Sequence, residues 1–443
     1  MDKLIVTGGN KLKGKVGISG AKNAALKALV AACMTDEEVI LHNMPLISDI
    51  FVMIDIMKSL GIDVDIEEHT VRIKAKEFKT NSIPLDKAAL ARTSAMFIAP
   101  LLARVGEAII PNPGGCRLGA RPIDRTTEGI GKMNTEIAYY STDGYFHAKT
   151  KGLRGIDHKF TKNTHTGTET MILASVLAEG QTILHNAAEE PEIDDLIKLL
   201  NAMGAEIRRT DNRQITIPGV KKLHSAEYSI SPDRIEVVTF AIAAILTDGD
   251  VIIEDAHKTH IDYFLEKLAL TGAGFEKTES GIRFFKKNQL KSVDVTTSIH
   301  PGFMTDWQAP WAVLMTQAQG ISIIHETVFE NKLKYIYDLK KMGAEAELFN
   351  PILQNKEDVY NFNLEDDKLE YFHAVKIKGP KLLHNAVMST LDIRAGAAIV
   401  LASLVAKGSS TIYGVEKLDR GYERFADRLT ALGADIKRVK EII

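Results

Sequence analysis

Cysteine is nearly missing from this chain of 443 residues: Cys33 and Cys116 alone occur, too few for a disulfide framework or a Cys-rich zinc site. A reducing, cytoplasmic setting is expected. Charge of one sign is missing too, since 55 Lys and Arg face 58 Asp and Glu for a formal net charge of −3. That balance excludes the concentrated basic surface with which a dedicated nucleic-acid binder neutralises phosphates. Apolar runs such as residues 240–246 fall far short of the ~18 residues a membrane helix needs. Residues 1–9 carry no basic segment leading into an apolar core and read as a strand entering a turn, so no export signal is expected there. No Gly-x-x-x-x-Gly-Lys-Ser/Thr loop, Gly-x-Gly-x-x-Gly turn or His-Glu-x-x-His pair is found. The 13 histidines are scattered. His158 and His165 read as isolated residues of solvated loops, and neither metal nor cofactor is expected.

What the chain does have is repetition. One phrase recurs as Leu60-Gly61-Ile62-Asp63-Val64, Met203-Gly204-Ala205-Glu206-Ile207, Thr271-Gly272-Ala273-Gly274-Phe275, Met342-Gly343-Ala344-Glu345 and Leu432-Gly433-Ala434-Asp435-Ile436. A degenerate copy stands at Met133-Asn134-Thr135-Glu136-Ile137. The copies are roughly 70 residues apart, the last step nearer 90, so six repeats account for most of the chain. Each repeat reads as an Ala-rich helix, a small-residue break, a β-rich segment, an amphipathic helix and the glycine turn into another strand. In the third repeat residues 170–177 and 194–203 read as the two helices. An acidic, aromatic insertion at residues 350–372 lengthens the last step and reads as a surface hairpin or loop. The pattern predicts α/β units whose apolar helices pack centrally beneath sheets. Two sets of three follow, one domain over residues 22–231 and a second over 1–21 with 232–443, with a cleft between them as the expected binding place.

Repeats that share a fold need the same core, so polar departures at equivalent places point to a site. The starts of the Ala-rich helices carry Lys22-Asn23, Arg92-Thr93, Thr166-Gly167-Thr168, Asp233-Arg234, Thr305-Asp306 and Asp392-Ile393-Arg394. Helix N-termini attract anions, and cations placed there oppose the helix dipole. The recurring set therefore predicts an anion-binding chamber. The plainer alternative is that Lys22, Arg92, Arg234 and Arg394 are surface cations paired with nearby carboxylates. The second repeat breaks the pattern with Pro111-Asn112-Pro113-Gly114-Gly115-Cys116-Arg117-Leu118-Gly119-Ala120-Arg121-Pro122, a loop of alternating rigidity and freedom suited to a hinged lid. Cys116 lies close to Arg117 and Arg121, and cationic neighbours favour the thiolate. Cys33, in an apolar helix, reads as core.

These motifs resemble a known family. Ser19-Gly20-Ala21-Lys22-Asn23-Ala24-Ala25-Leu26, the Cys116 loop, Ala188-Glu189-Glu190-Pro191-Glu192-Ile193, Pro232-Asp233-Arg234-Ile235-Glu236, Glu326-Thr327-Val328-Phe329-Glu330-Asn331 and Asp419-Arg420-Gly421-Tyr422-Glu423-Arg424 are similar, in order, to the UDP-N-acetylglucosamine 1-carboxyvinyltransferases of peptidoglycan synthesis. The resemblance implies two inside-out α/β barrel domains, each of three βαβαββ repeats. It implies transfer of the enolpyruvyl group of phosphoenolpyruvate to the 3′-hydroxyl of UDP-N-acetylglucosamine, through addition and elimination, with no cofactor. Cys116 would be the general acid and the site alkylated by fosfomycin, and Asp306 the base. Lys22, Asn23, Arg121, Lys332, Arg394 and Arg420 would hold phosphoenolpyruvate, with Asp392 near the reacting centre. Asn23, Arg92, Arg121, Pro122, Ile123, Asp124, Arg125, Asn163, Thr164, His165, Thr166, Asp306 and Val328 would embrace the UDP-sugar.

Three places depart from the family pattern. Lys332 stands where an arginine is usual, keeping charge but losing the two-pronged match to a carboxylate. Arg125-Thr126 replaces a commoner Leu-His pair, and Asn163-Thr164-His165-Thr166-Gly167 replaces a differently built segment. The second and third lie on the nucleotide side and bear on the acceptor, leaving shikimate 3-phosphate, a modified UDP-sugar or a silent UDP-sugar-binding paralogue as the alternatives. Oligomeric state is left open.

Overall fold

The computed structural model describes residues 2–112, 123–390 and 392–440. The sequence repeat is a βαβαββ unit. In the third copy it runs Asp157–Lys159, His165–Ser175, Gln181–His185, Pro191–Ala202, Arg208–Asp211 and Gln214–Pro218. Its strands form one sheet in which Asp157–Lys159 lies parallel to Gln181–His185 and the remaining pairs are antiparallel. Four further four-stranded sheets repeat this order and polarity. The second repeat is the exception. Glu107–Pro111, Tyr145–Thr150 and Thr135–Tyr140 form a three-stranded sheet, and a lone parallel bridge from Ser82 to Ile109 stands where the parallel strand would be.

The described residues divide into two units, one of residues 20–231 and one of residues 2–19 with 232–440. Each has its own continuous apolar core. The first unit is centred on the helices Lys22–Ala32, Ile98–Val105 and His165–Ser175, the second on Arg234–Leu246, Gln308–Thr316 and Ile393–Val405. Every residue of Arg234–Leu246 and of Gln308–Thr316 is buried. A helix apolar all round must be enclosed on every side, and the surrounding sheets do this. The Pro191–Ala202 helix buries Ile193, Leu196, Leu199 and Leu200 and turns Lys198 and Asn201 outward, as an amphipathic outer helix should.

The recurring glycine has one conformational job. Gly61, Gly204, Gly272, Gly343 and Gly433 all leave an outer helix at φ between 82° and 107°, a left-handed turn that β-carbons disfavour. In the degenerate copy Asn134 takes the same place at φ 63°, since asparagine tolerates this region better than other side chains.

One sequence expectation needs correction here and a second is narrowed. The inner helix of the third repeat begins at His165 and ends at Ser175, displaced from residues 170–177. The Thr164 hydroxyl caps it by accepting from the Gly167 N–H at 3.2 Å, so residues that look like loop are its first turn. Of the two forms expected for the insertion at 350–372, the hairpin is absent and the loop is present, carrying the short helices Lys356–Val359 and Leu364–Asp366. It is pinned by Tyr360, stacked on Phe362 at 4.8 Å and tilted against His373, and by the Asn361 N–H donating to the Thr327 carbonyl.

Chain connectivity is not local at the start. Asp2–Thr7 lies between Ser409–Tyr413 and Asp435–Lys440, antiparallel to both, and completes the sixth sheet. Lys13–Val16 pairs in parallel with Asp250–Glu254, while Ala226–Ser229 pairs in parallel with Glu38–His42. Among the described residues no helix is long and apolar enough to cross a membrane.

Candidate active site

In the unit of residues 20–231, Lys22 opens its helix as the sequence suggests, but it is no surface cation. It is buried, and its Nζ lies 2.6 Å from Oδ2 of Asp49, which stands in the first turn of the Ser48–Ser59 helix. Asn23 follows it, half-buried. One helical turn on, Lys27 reaches the fully buried carboxylate of Glu169 at 3.3 Å, and Nε2 of His165 lies 3.1 Å from the other oxygen of the same group. Burial lowers the His165 pKa, but the charge and hydrogen bond of Glu169, helped by Glu190 and opposed by Lys27, leave it raised overall. The solvated-loop reading therefore fails for His165. It fails also for His158, which is buried edge-on against Phe160 at 4.8 Å and whose pKa is lowered by that burial and by Lys132.

Around the start of the His165 helix the nucleotide-side expectations gather. Asn163 is buried, donates from Nδ2 to the Asn186 carbonyl at 3.0 Å, and accepts at its own carbonyl from Nη1 of Arg125 at 3.3 Å. A β-carbon on Gly167 would stand 2.5 Å from the Thr164 methyl, so the cap requires glycine there. Arg92, Ile98, Ile123, Thr126, Phe146 and Thr166 line one recess of about 20 Å³, room for about one water. Asp124 lies exposed in the first turn of Asp124–Lys132. Cys116, Arg121 and Pro122 fall outside the described residues.

In the other unit Asp306 sits on the short helix Thr305–Trp307, at the mouth of Gln308–Thr316. Its Oδ1 receives Nε of Arg394 at 2.9 Å and has Nζ of Lys332 at 3.9 Å. Burial would raise the carboxyl pKa, yet Lys332, Arg394 and Arg234 together hold it well below the ordinary carboxylate range. Arg394 is buried, stacks its guanidinium 5.2 Å from the Tyr422 ring, and has an Nη1 with no hydrogen-bond partner among the described residues. Asp392 caps this helix, accepting from the Arg394 and Ala395 N–H groups at 2.8 and 3.0 Å, and so fixes where Arg394 starts. Arg234 is buried, 5.9 Å from the Trp307 ring and with Nη1 3.4 Å from Nδ1 of His300. Arg420 is half-buried beyond the turn Val415–Lys417.

Lys332 is buried against the Phe329 ring at 4.8 Å. The Val328 N–H donates to Glu326 at 2.7 Å and so is not the group of Val328 that a ligand would meet. Sequence reading missed Asp49, Lys27, Glu169, Glu326 and Tyr422. The signal for Lys27 and Glu169 was present, since a charge inside an otherwise apolar helix has to be paired. Among the described residues no cluster of three His, Cys, Asp or Glu side chains is arranged to hold a metal.

The arrangement offers buried cations beside an ionised carboxylate on an α/β frame, which is equipment for handling an anionic substrate while moving a proton. The family described as EPSP synthase (3-phosphoshikimate 1-carboxyvinyltransferase) matches residues 6–429. A UDP-N-acetylglucosamine 1-carboxyvinyltransferase of Desulfatibacillum aliphaticivorans is 40% identical over 99% of this chain and 100% of its own length. One of Myxococcus xanthus is 38% identical over the same shares. Among solved structures, the enolpyruvyl transferase NikO from Streptomyces tendae superposes with a TM-score of 0.85 at 22% identity, covering 99% of both chains. An EPSP synthase of Acinetobacter baumannii gives 0.73 at 17% identity over 99% of this chain and 100% of its own. The fold is the enolpyruvyl transferase fold, and the chain belongs to the 1-carboxyvinyltransferase family, on the branch of the UDP-N-acetylglucosamine 1-carboxyvinyltransferases.

Proposed function

We propose that this chain transfers the enolpyruvyl group of phosphoenolpyruvate to the 3′-hydroxyl of UDP-N-acetylglucosamine and releases inorganic phosphate, the first committed step of peptidoglycan synthesis. Full-length relatives of that name support the acceptor. The observation that carries the chemistry is Arg394, buried beside ionised Asp306 with one N–H group still without a partner among the described residues. A buried guanidinium donor of this kind suits the two-pronged grip on a carboxylate.

In the addition step the sugar oxygen bonds to C2 of phosphoenolpyruvate, Asp306 takes the hydroxyl proton, and Cys116 delivers a proton to C3. In the elimination step C3 gives a proton back and the C2–O bond to phosphate breaks. Lys22, Asn23, Arg121, Lys332, Arg394 and Arg420 hold the phosphate and carboxylate, with Asp392 setting the start of the Arg394 helix. Arg92, Ile123, Asp124, Arg125, Asn163, Thr164, His165, Thr166 and the Val328 carbonyl serve the nucleotide sugar. Asp306 at rest is a poor base because Lys332 and Arg394 hold its proton affinity down. An arriving anion engages those cations, and the carboxylate becomes more basic as the substrate binds.

The test is phosphate release from phosphoenolpyruvate by purified protein, with UDP-N-acetylglucosamine and shikimate 3-phosphate offered in parallel. Release with the UDP-sugar alone is expected. Release with shikimate 3-phosphate would move the acceptor to the sister reaction, and release with neither would mean a different acceptor or a silent site.

A further inference from the structure

Glu326 belongs to none of the roles assigned so far, yet its carboxylate accepts four hydrogen bonds. It is fully buried. Its Oε2 accepts from the Thr305 hydroxyl at 2.7 Å and from Nε2 of Gln308 at 3.2 Å. Its Oε1 accepts from the backbone N–H groups of Val328 and Phe329 at 2.7 and 3.0 Å. Gln308 is held in turn by the Tyr335 hydroxyl, which donates to its Oε1 at 2.7 Å, and both are buried. One side of this carboxylate therefore grips the residues on either side of Asp306, and the other grips the turn that presents Val328 and leads to Lys332.

A buried carboxyl costs folding free energy, and four donors from two separate chain segments are what makes this one tolerable. A core that needed only packing would be served as well by an apolar residue. We infer that Glu326 is a positioning residue, which fixes the proton-accepting Asp306 relative to the Val328 turn that meets the nucleotide sugar. The inference rests on the reading of Asp306 as the base.

Catalytic geometry is sensitive to sub-ångström placement, and losing one half of the clamp should be distinguishable from losing the other. Glu326→Gln presents an amide donor to one of the two donor pairs and breaks that grip. It should lower kcat and raise the KM for UDP-N-acetylglucosamine, each by about tenfold. Thr305→Val cuts only the Asp306 side and should lower kcat by a similar factor with the nucleotide-sugar KM unchanged. Asp306→Asn distinguishes loss of the base from loss of its positioning. If it keeps wild-type kcat, the reading of Asp306 as the base fails. If it is inactive while folded Glu326→Gln keeps both constants within about twofold of wild type, the positioning role is overturned. A fall in kcat that only follows the folded fraction, with KM unmoved, overturns it too. Should Glu326→Gln not fold, Thr305→Val decides alone, and an unchanged kcat in that variant sinks the inference.

Discussion

In residues 20–231, buried cations and carboxylates meet at short range within local groups, Lys22 with Asp49 at 2.6 Å and Lys27 with Glu169 at 3.3 Å, with His165 joining the second pair. In the other unit, Arg394 and Lys332 converge on the single carboxylate of Asp306, and Arg234 adds its field. The first arrangement balances its charge at rest, so breaking a pair leaves a buried ion exposed to its own desolvation cost. The second keeps its cations turned toward a carboxylate that we propose changes protonation during the reaction. Each cation of the first set has its own carboxylate at rest, whereas those of the second share one carboxylate.

The sharpest way to break this contrast is Asp306→Asn. It should cut kcat for phosphate release by about a thousandfold, far more than any loss of folded protein that the missing partner of Arg394 causes in thermal melts. A fall in kcat that only follows the folded fraction would mean that Asp306 is a structural ion like Asp49. Conversely, Asp49→Ala removes a carboxylate that lies 2.6 Å from a cation that is itself buried, and should destabilise the fold by about 3–5 kcal/mol in denaturant titration. A cost under about 1 kcal/mol would show the pair to be effectively solvated.

Lys332→Arg sharpens the comparison on the side of the shared carboxylate. A guanidinium matches a carboxylate at two points, so the KM for phosphoenolpyruvate should fall by about threefold in steady-state assays. An unchanged or raised KM counts against a carboxylate role for this position. The smallest effect concerns His165, whose folded pKa is raised by Glu169 and Glu190 against the lowering effect of burial. A raised pKa means that the protonated imidazole stabilises the fold fully below its unfolded value near 6.5 and loses that contribution as pH climbs through the folded value. Melting curves across that window should drift downward by a few degrees more in the wild type than in His165→Asn. Parallel drifts would show that Glu169 is served by Lys27 alone.

Much of this was legible in advance, for reasons that differ by residue. The glycine turns were readable because a left-handed backbone narrows the choice of side chain, and the same rule explains why Asn134 is the tolerated exception. Cations at helix starts were readable because they oppose the dipole, and Lys22, Arg234 and Arg394 prove to be buried. Their partners were not readable. Asp49 lies in a different helix from Lys22, Lys332 reaches Asp306 across 26 residues of chain, and Arg394 across 88. Such pairings are made by tertiary packing, which one sequence does not display. His165 was misread because its neighbours look like a loop, whereas the Thr164 cap turns that polar stretch into the first turn of a buried helix. Glu326 carried a signal that was passed over, an acid that ends an apolar strand and precedes a turn, but its four donors come from both sides of the primary structure.

The strand Asp2–Thr7 sets a timetable for the newborn chain. Its two neighbours in the sheet are Ser409–Tyr413 and Asp435–Lys440, so at ribosomal speeds of about 5–20 residues per second it waits roughly 20 to 90 s for partners. Residues 20–231 close on themselves and can fold while translation continues. The other unit cannot seal until the strand Asp435–Lys440 has left the ribosome, and through that interval the edges of Asp2–Thr7 stand open to mispairing, whereas Lys13–Val16 waits only for Asp250–Glu254. Slow synthesis or ribosome stalling late in the message should therefore endanger this unit more than its neighbour, whatever the relative strength of their cores.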